Sequence, residues 1–177
     1  MKYTALMAAL ALTLGACSDK AKPPGRTAAA GRAYVKADIA RPASLPPELP
    51  AVASCGFDGL NGGAAGAANA IQDQARIALS GWSADPRTTL APGRVFVELD
   101  GPVKLYAAAR RGLKRPDVAA ALNNPMLNDA GWEASIDLSS AAPGAYKVHL
   151  IELNGAAATT CDPHSALVID DKSRPDN

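Results

Sequence analysis

The sequence predicts an all-β domain: an antiparallel β-sandwich of about seven short strands that follows a disordered N-terminal tether. In Gly131–Leu153, apolar and polar residues alternate with a period of two on either side of a turn at Pro143 and Gly144, as they do in half-buried strands. Comparable short stretches recur along the chain between turn residues, which is typical of a sandwich. We expect the two strands of Gly131–Leu153 to pair with each other and to bury one apolar face against a second sheet.

The first 17 residues carry an export signal. Lys2 precedes an apolar run, Tyr3–Leu14, which is shorter than the roughly 20 residues that a bilayer-spanning helix needs. Leu14-Gly15-Ala16-Cys17 follows, and it resembles the lipobox of bacterial lipoproteins. The resemblance implies that residues 1–16 are removed as a signal peptide and that Cys17 is lipidated, which anchors the chain stably in a membrane. An ordinary secretory signal followed by an unrelated cysteine is the alternative.

The residue after the cysteine bears on the location. Ser18 resembles the pattern of lipoproteins sorted to the bacterial outer membrane, whereas an aspartate there would imply retention in the inner membrane. The expected location is therefore the outer membrane, on its periplasmic or its surface face. The lipid on Cys17 is the expected membrane contact.

Residues 17–50 differ in composition from the rest of the chain. After Cys17 they contain six prolines, and six lysines or arginines against three acidic residues. The prolines prevent a continuous helix, and little apolar surface is present to offset the entropy lost on ordering. We therefore predict a flexible tether in which only Tyr34–Ile39 pairs locally.

The folded domain is predicted to span residues 51–170. Ala51–Phe57 suits a first strand. The glycine-rich stretch at 58–68 is interpreted as a flexible loop, because the Gly-Lys-Ser/Thr of a phosphate-binding loop does not follow it.

Residues 69–84 fit both a helix and a strand. We favour a strand over 75–84, because its aliphatic residues alternate with polar ones. Trp82 has the opposite parity from Ile77 and Leu79, so burying all three requires a bulge, which Gly81 would permit.

The second half of the domain shows clearer signals. Arg94–Asp100 alternates strictly and predicts a strand, joined by a turn to a second strand at Val103–Ala109. Pro116 followed by an acidic residue predicts a short helix over 117–122. The chain is expected to turn at 154–160. The other expected elements are a last strand at Ala166–Ile169 and a disordered polar tail at 171–177.

Part of residues 75–153 resembles a known kind of module. The matching residues are Gly81-Trp82, Val95–Gly101, Arg115-Pro116-Asp117-Val118, Ala130-Gly131-Trp132, Ile136-Asp137-Leu138 and Pro143-Gly144 with Tyr146. This pattern resembles the Ig-like accessory modules of bacterial surface proteins and carbohydrate-active enzymes. The resemblance implies a non-catalytic Ig-like sandwich, and it carries over no functional residues.

Two cysteines remain once Cys17 is assigned to lipid. In an oxidising compartment Cys55 and Cys161 are expected to form a disulfide. Closing a loop of about 100 residues stabilises a fold by roughly 4–5 kcal/mol in the chain-entropy model. The alternative is a metal site that uses Cys161 and His164, at Cys-x-x-His spacing, together with Cys55. We expect the disulfide, with no metal and no cofactor.

Catalytic patterns are weak. His149 falls on the polar parity of its strand, His164 follows a turn, and no nucleophile elbow or zinc-protease helix occurs. We therefore expect no catalytic residues and no enzyme. The net charge of +1 gives no basis for a nucleic-acid partner.

A basic cluster is the candidate anion-binding site. It consists of Arg110, Arg111, Lys114 and Arg115. Four cations in six positions suit an anionic glycan, a phosphate or an acidic protein. A solvated loop between two strands is the alternative.

These observations predict a lipid-anchored cell-envelope protein that acts as a non-catalytic binding or structural module. Its expected partner is another envelope component, either a protein or an anionic glycan. The alternative is a periplasmic inhibitor or immunity lipoprotein that blocks a cell-wall enzyme.

Overall fold

A computed structural model describes residues 33–51, 54–84 and 91–171. The predicted signal peptide 1–16, the lipidation site Cys17 and nearly all of the predicted tail lie outside the described residues. The described residues belong to one compact unit.

The prediction of an all-β fold is confirmed. The described residues form eleven strands: β1 (Val35–Lys36), β2 (Ser54–Leu60), β3 (Gly63–Ala64), β4 (Ala68–Ala70), β5 (Ile77–Ala84), β6 (Arg94–Asp100), β7 (Leu105–Leu113), β8 (Gly131–Asp137), β9 (Gly144–Asn154), β10 (Ala157–Cys161) and β11 (Ala166–Ile169). The short helix α1 (Pro116–Ala121) lies where the proline and the acidic first turn predict it, and a 3₁₀ turn follows at Pro125–Leu127.

The strands form one curled sheet rather than two separate sheets. Their order is β3-β2-β5-β8-β7-β6-β9-β11-β4, with β1 added to β8 and β10 added to β9. The segments β2-β5-β8-β7 and β6-β9 follow the A-B-E-D and C-F orders of Ig-type sheets. The fold departs from the predicted seven antiparallel strands in two ways. It has more strands, and two of its pairings are parallel: β1 with β8, and β4 with β11.

Strand β7 joins the two layers of the curled sheet. Its first half, Leu105–Ala109, pairs with β6, and its second half, from Arg110 to Leu113, pairs with β8. A bulge before Leu113 contains Gly112, whose φ of 83° favours glycine. The predicted hairpin of β6 and β7 is confirmed, but the basic cluster is not the start of a loop: Arg110 and Arg111 continue the strand.

The two strands of Gly131–Leu153 are present, but the prediction that they pair with each other is wrong. Strand β8 pairs with β5, β7 and β1, whereas β9 pairs with β6, β10 and β11. The connection between them crosses from one layer to the other. Their buried residues share one core, in which the rings of Phe57 and Trp132 stack with centroids 6.4 Å apart.

A tyrosine holds this crossing. The hydroxyl of Tyr146, at the start of β9, donates a hydrogen bond of 2.9 Å to the carbonyl oxygen of Ala142. Such a tyrosine corner is typical of Ig-type sandwiches. It fixes the direction in which the chain enters the second layer.

Trp82 does not reach the main core. The bulge expected at Gly81 is absent from β5 and lies instead in β2, between Phe57 and Gly59. Trp82 therefore stays on the outer face, half-buried against the small cluster that contains Val118. Gly81 has another role, because a Cβ there would overlap the carbonyl oxygen of Gly56.

The glycine-rich stretch is ordered rather than a flexible loop. Strand β2 continues to Leu60 and turns through Asn61 and Gly62, both with positive φ, into β3. The chain then crosses to β4, where the buried Asn69 amide bonds to Gly66 and Ala166. The predicted turn at 154–160 is also mostly strand, since β10 pairs with β9 along its whole length.

Residues 33–50, which we call the strap, pack on the domain and are not a free tether. Val35 pairs with Ile136 of β8, and Asp38 exchanges two backbone hydrogen bonds, of 2.9 and 2.7 Å, with Tyr106 of β7. Leu45 is only 5% exposed and packs on the outer face of β6 and β9. These contacts offset the proline content that predicted disorder, so residues 33–50 are part of the folded domain.

Candidate functional site

The predicted disulfide between Cys55 and Cys161 is present. The Cα atoms are 6.2 Å apart, and the bridge joins β2 in one layer to β10 in the other. Beside it, the Thr160 N–H donates a 3.1 Å hydrogen bond to the Pro50 carbonyl oxygen. The bridge uses the two thiols that the alternative metal site needs. Within the described part of the chain, no group of three His, Cys, Asp or Glu residues is placed to hold a metal.

The basic cluster does not form one convergent site. Arg110 and Arg111 are consecutive residues of β7, so their side chains point to opposite faces. Arg110 pairs with Glu133 at 2.8 Å, and Lys114 pairs with Asp129 at 2.7 Å.

Arg115 belongs to a separate network. Its guanidinium pairs with Asp117 at 2.7 Å and with Asp58 at 2.6 Å, which ties α1 to β2. Hydrogen bonding by Arg115 lowers the pKa of Asp117 to about 2. Of the four cations, Arg111 is the one without a carboxylate partner among the described residues. The cluster is therefore largely neutralised, which weakens its case as an anion site.

The two histidines lie in different surroundings. His149 is half-buried opposite Glu98 in the β6–β9 ladder. His164 is exposed, and its backbone N–H bonds to the carboxylate of Asp162. Across residues 33–51, 54–84 and 91–171, neither imidazole is hydrogen-bonded to a hydroxyl or a thiol. The hydroxyl oxygens of Ser83 and Thr159 are fully buried.

An open groove runs along the strap. This strap groove has a volume of about 530 Å³ and is lined by Val35, Lys36, Arg41, Pro42, Tyr106 and Ala108, among others. Its floor is the outer face of β6 and β7. Burial, and then the nearby Glu98 carboxylate, raise the pKa of the Tyr106 hydroxyl, which keeps it neutral.

Two charged side chains of the strap groove form hydrogen bonds with the backbone of the strap itself. The Arg41 guanidinium donates to the carbonyl oxygen of Leu45 at 2.9 Å and also to that of Pro46. The Asp38 carboxylate accepts a 2.8 Å bond from the Ala40 N–H. The groove therefore presents a mostly apolar surface with fixed walls, which suits binding.

A second depression lies at the end of the molecule where β8 ends and the strap begins. It has a volume of about 400 Å³ and is bordered by Ile39 of the strap and Val103 of the β6–β7 turn. We call this the strap end. The opposite end, where β5 ends and β8 begins, carries α1, the 3₁₀ turn and Arg115, and we call it the helix end.

The sequence predicts the disulfide but neither the groove nor the depression. The composition of the strap predicts a tether, and a tether would form no wall of a groove. The available signal was the pair Leu45 and Leu49, four residues apart in a polar, proline-rich stretch, which now pack together on the outer face.

Comparison with known proteins gives no relative. No family model, curated protein or solved structure matches the chain. Among the described residues, no helix has the length and apolar character needed to cross a membrane.

Proposed function

We propose that the protein is a lipid-anchored protein of the cell envelope whose folded domain is a non-catalytic binding module. The observation that carries this proposal is the disulfide between Cys55 and Cys161. Disulfides persist mainly outside the cytosol, in compartments such as the bacterial periplasm and the cell surface. The lipobox-like sequence that ends at Cys17 supports the same compartment and supplies the anchor.

The strap groove is the surface we assign to the partner. Its volume falls within the range of ligand sites, and its lining is mainly apolar with a few fixed polar groups. The partner we favour is another envelope protein that inserts an exposed segment over Tyr106 and Ala108. The basic cluster is the weaker candidate, because three of its four cations are paired with carboxylates.

Lipid anchoring is tested by metabolic labelling. Cells that express the wild type should incorporate radiolabelled palmitate into the protein and retain it in the outer-membrane fraction. The Cys17→Ala variant should lose the label. Incorporation by Cys17→Ala, or none by the wild type, would refute the anchor.

The binding role is tested by photocrosslinking in the native envelope. A photoreactive residue in place of the exposed Ala108 should capture a defined partner, whereas the same residue in place of the exposed Ala156 should not. A stoichiometric cell-wall enzyme captured at position 108 would favour the inhibitor alternative. Equal products at both positions would count against the groove.

A further inference from the structure

Exposed aliphatic side chains are concentrated at the strap end. Val35 is 65% exposed, Ile39 is 74% exposed and Val103 is 42% exposed. These are three of the five large apolar side chains that are exposed among the described residues; the other two, Leu122 and Met126, lie at the helix end. Val35 lines the strap groove, whereas Ile39 and Val103 border the depression at the strap end, and we call these two side chains the aliphatic patch.

The patch combines apolar groups with a cation. Ile39 and Val103 border the same depression, and Lys36 and Asp38 line it beside them. The Asp38 carboxylate accepts a hydrogen bond from the Ala40 N–H, whereas the Lys36 ammonium is the cation of the depression. Branched aliphatics enter the headgroup region of a bilayer favourably, while a lysine stem lies along the apolar surface and keeps its ammonium near phosphates. The patch therefore has the chemistry of a small interfacial contact.

The chain connects this patch closely to the anchor. Only residues 18–32 lie between Cys17 and Ala33, and Ile39 of the patch follows six residues later. Sixteen peptide steps reach at most about 55 Å, so an anchored domain stays near the bilayer. A short link of this kind gives an effective concentration on the order of millimolar, at which a weak contact is populated.

We propose that the aliphatic patch rests on the surface of the bilayer that holds the lipid anchor, in contact with phospholipid headgroups and the adjoining acyl carbons. This inference rests on the anchoring at Cys17 in the proposed function. It fixes the orientation of the domain. Strand β8 has seven residues and spans about 23 Å, so the helix end faces away from the membrane at roughly that height.

The first test is photocrosslinking of the full lipidated chain in envelopes with radiolabelled phospholipid. A photoreactive phenylalanine analogue replaces Ile39, Val103 or, as the control at the other end of β8, Met126. We expect at least tenfold more phospholipid adduct at positions 39 and 103 than at position 126. Equal labelling at all three positions, no lipid adduct, or adducts to a second copy or another protein at positions 39 and 103 would each overturn the proposal.

The second test keeps natural side chains. The lipidated protein is compared in phosphatidylethanolamine–phosphatidylglycerol vesicles and in detergent by hydrogen exchange of residues 100–104. For the wild type and for Met126→Glu, exchange should be at least threefold slower in vesicles than in detergent. For the double variant Ile39→Glu, Val103→Glu, exchange should be the same in vesicles and in detergent. Slowed exchange that survives in the double variant would overturn the patch.

The anchor and the patch are told apart by one additional measurement on the same cells. Palmitate label without phospholipid adducts at positions 39 and 103 overturns the patch and leaves the anchor in place. Absence of palmitate label overturns the anchor and, with it, the patch.

Discussion

The two ends of the curled sheet are held in different ways. At the helix end, the layers are joined by a disulfide near the end of β5, and Arg115 connects α1 to β2 through two carboxylates. Beyond the strap end, the strap follows the outer face of the sheet and is held by backbone hydrogen bonds and a few apolar anchors such as Leu45. The helix end is tied by covalent and ionic links, whereas the strap is held by packing and backbone hydrogen bonds.

The helix end contributes mainly to stability, whereas the strap provides the surfaces suited to binding. The ionic groups of the helix end are mostly satisfied by one another, which leaves little for a ligand. The strap keeps an open groove along its length, and the strap end keeps a depression and exposed aliphatic side chains. Local openings of low free energy are expected where few buried contacts hold a segment, so the strap is the element best suited to respond to a partner.

The largest expected effect is loss of the disulfide at the helix end. Replacing Cys55 and Cys161 by serine should lower the free energy of unfolding by about 2–5 kcal/mol, because the unfolded chain regains the freedom of a loop of about 100 residues. Urea unfolding followed by tryptophan fluorescence measures it. With reductant, the unfolding midpoint of the wild type should fall to that of the double variant. The midpoint of the double variant should be the same with and without reductant. An unchanged midpoint would mean that the helix end does not depend on the bridge.

Truncating the main anchor of the strap should have the next largest effect. Leu45→Ala should cost about 2–3 kcal/mol, since it removes a buried side chain from the outer cluster. Amide exchange at Asp38 and Tyr106 should accelerate more than exchange in β5. Leu122→Ala, at a 44% exposed position, is the matched control and should change stability by about 0.5 kcal/mol at most. Uniform acceleration across the domain would contradict an independently held strap.

The crossing at the strap end should depend on a single hydroxyl. Tyr146→Phe should destabilise the fold by about 1–2 kcal/mol, because the Ala142 carbonyl loses its donor while the packing of the ring is kept. Thermal unfolding measures the change. Tyr34→Phe serves as control, since within the described part of the chain the Tyr34 hydroxyl has no hydrogen bond. Equal effects of the two variants would argue against the tyrosine corner.

The smallest effect is the acid dependence of the helix end. Because the pKa of Asp117 is about 2 in the fold and 3.8 ordinarily, its ion pair stabilises the protein above pH 4. That contribution is lost as the pH falls from 4 towards 2. Between pH 4 and pH 2 the melting temperature of Asp117→Asn should fall less than that of the wild type. Added salt should reduce this difference between the two proteins, because the ion pair is exposed.

Much of the fold follows from local sequence pattern. Strands β6, β8, β9 and β11 were predicted because period-two alternation marks a half-buried strand wherever it lies. The pairing of β8 with β9 was predicted wrongly because alternation tells which face is buried but not which strand is the neighbour. The crossing between layers depends on Tyr146 and on residues distant in sequence.

The candidate site divides in the same way. The disulfide could be predicted because only Cys55 and Cys161 are left once Cys17 is assigned to lipid, as the resemblance to a lipobox implies. The strap groove could not, because its walls come from residues near 40 and its floor from residues near 100. The prolines also give the strap the composition of a disordered segment. Leu45 and Leu49 indicate an ordered strap only once the apolar outer face of β6 and β9, on which they pack, is known.

The parallel pairing of β1 with β8 sets an order of assembly. Val35 pairs with Ile136, about 100 residues later in the chain, so β1 has no strand partner until β8 has been synthesised. Synthesis at about 5–20 residues per second puts that moment roughly 5–20 s after the strap itself is made. Closing so long a loop also adds entropy cost to the last pairing step. Strand β1 comes first in the chain, yet it cannot join the sheet before β8.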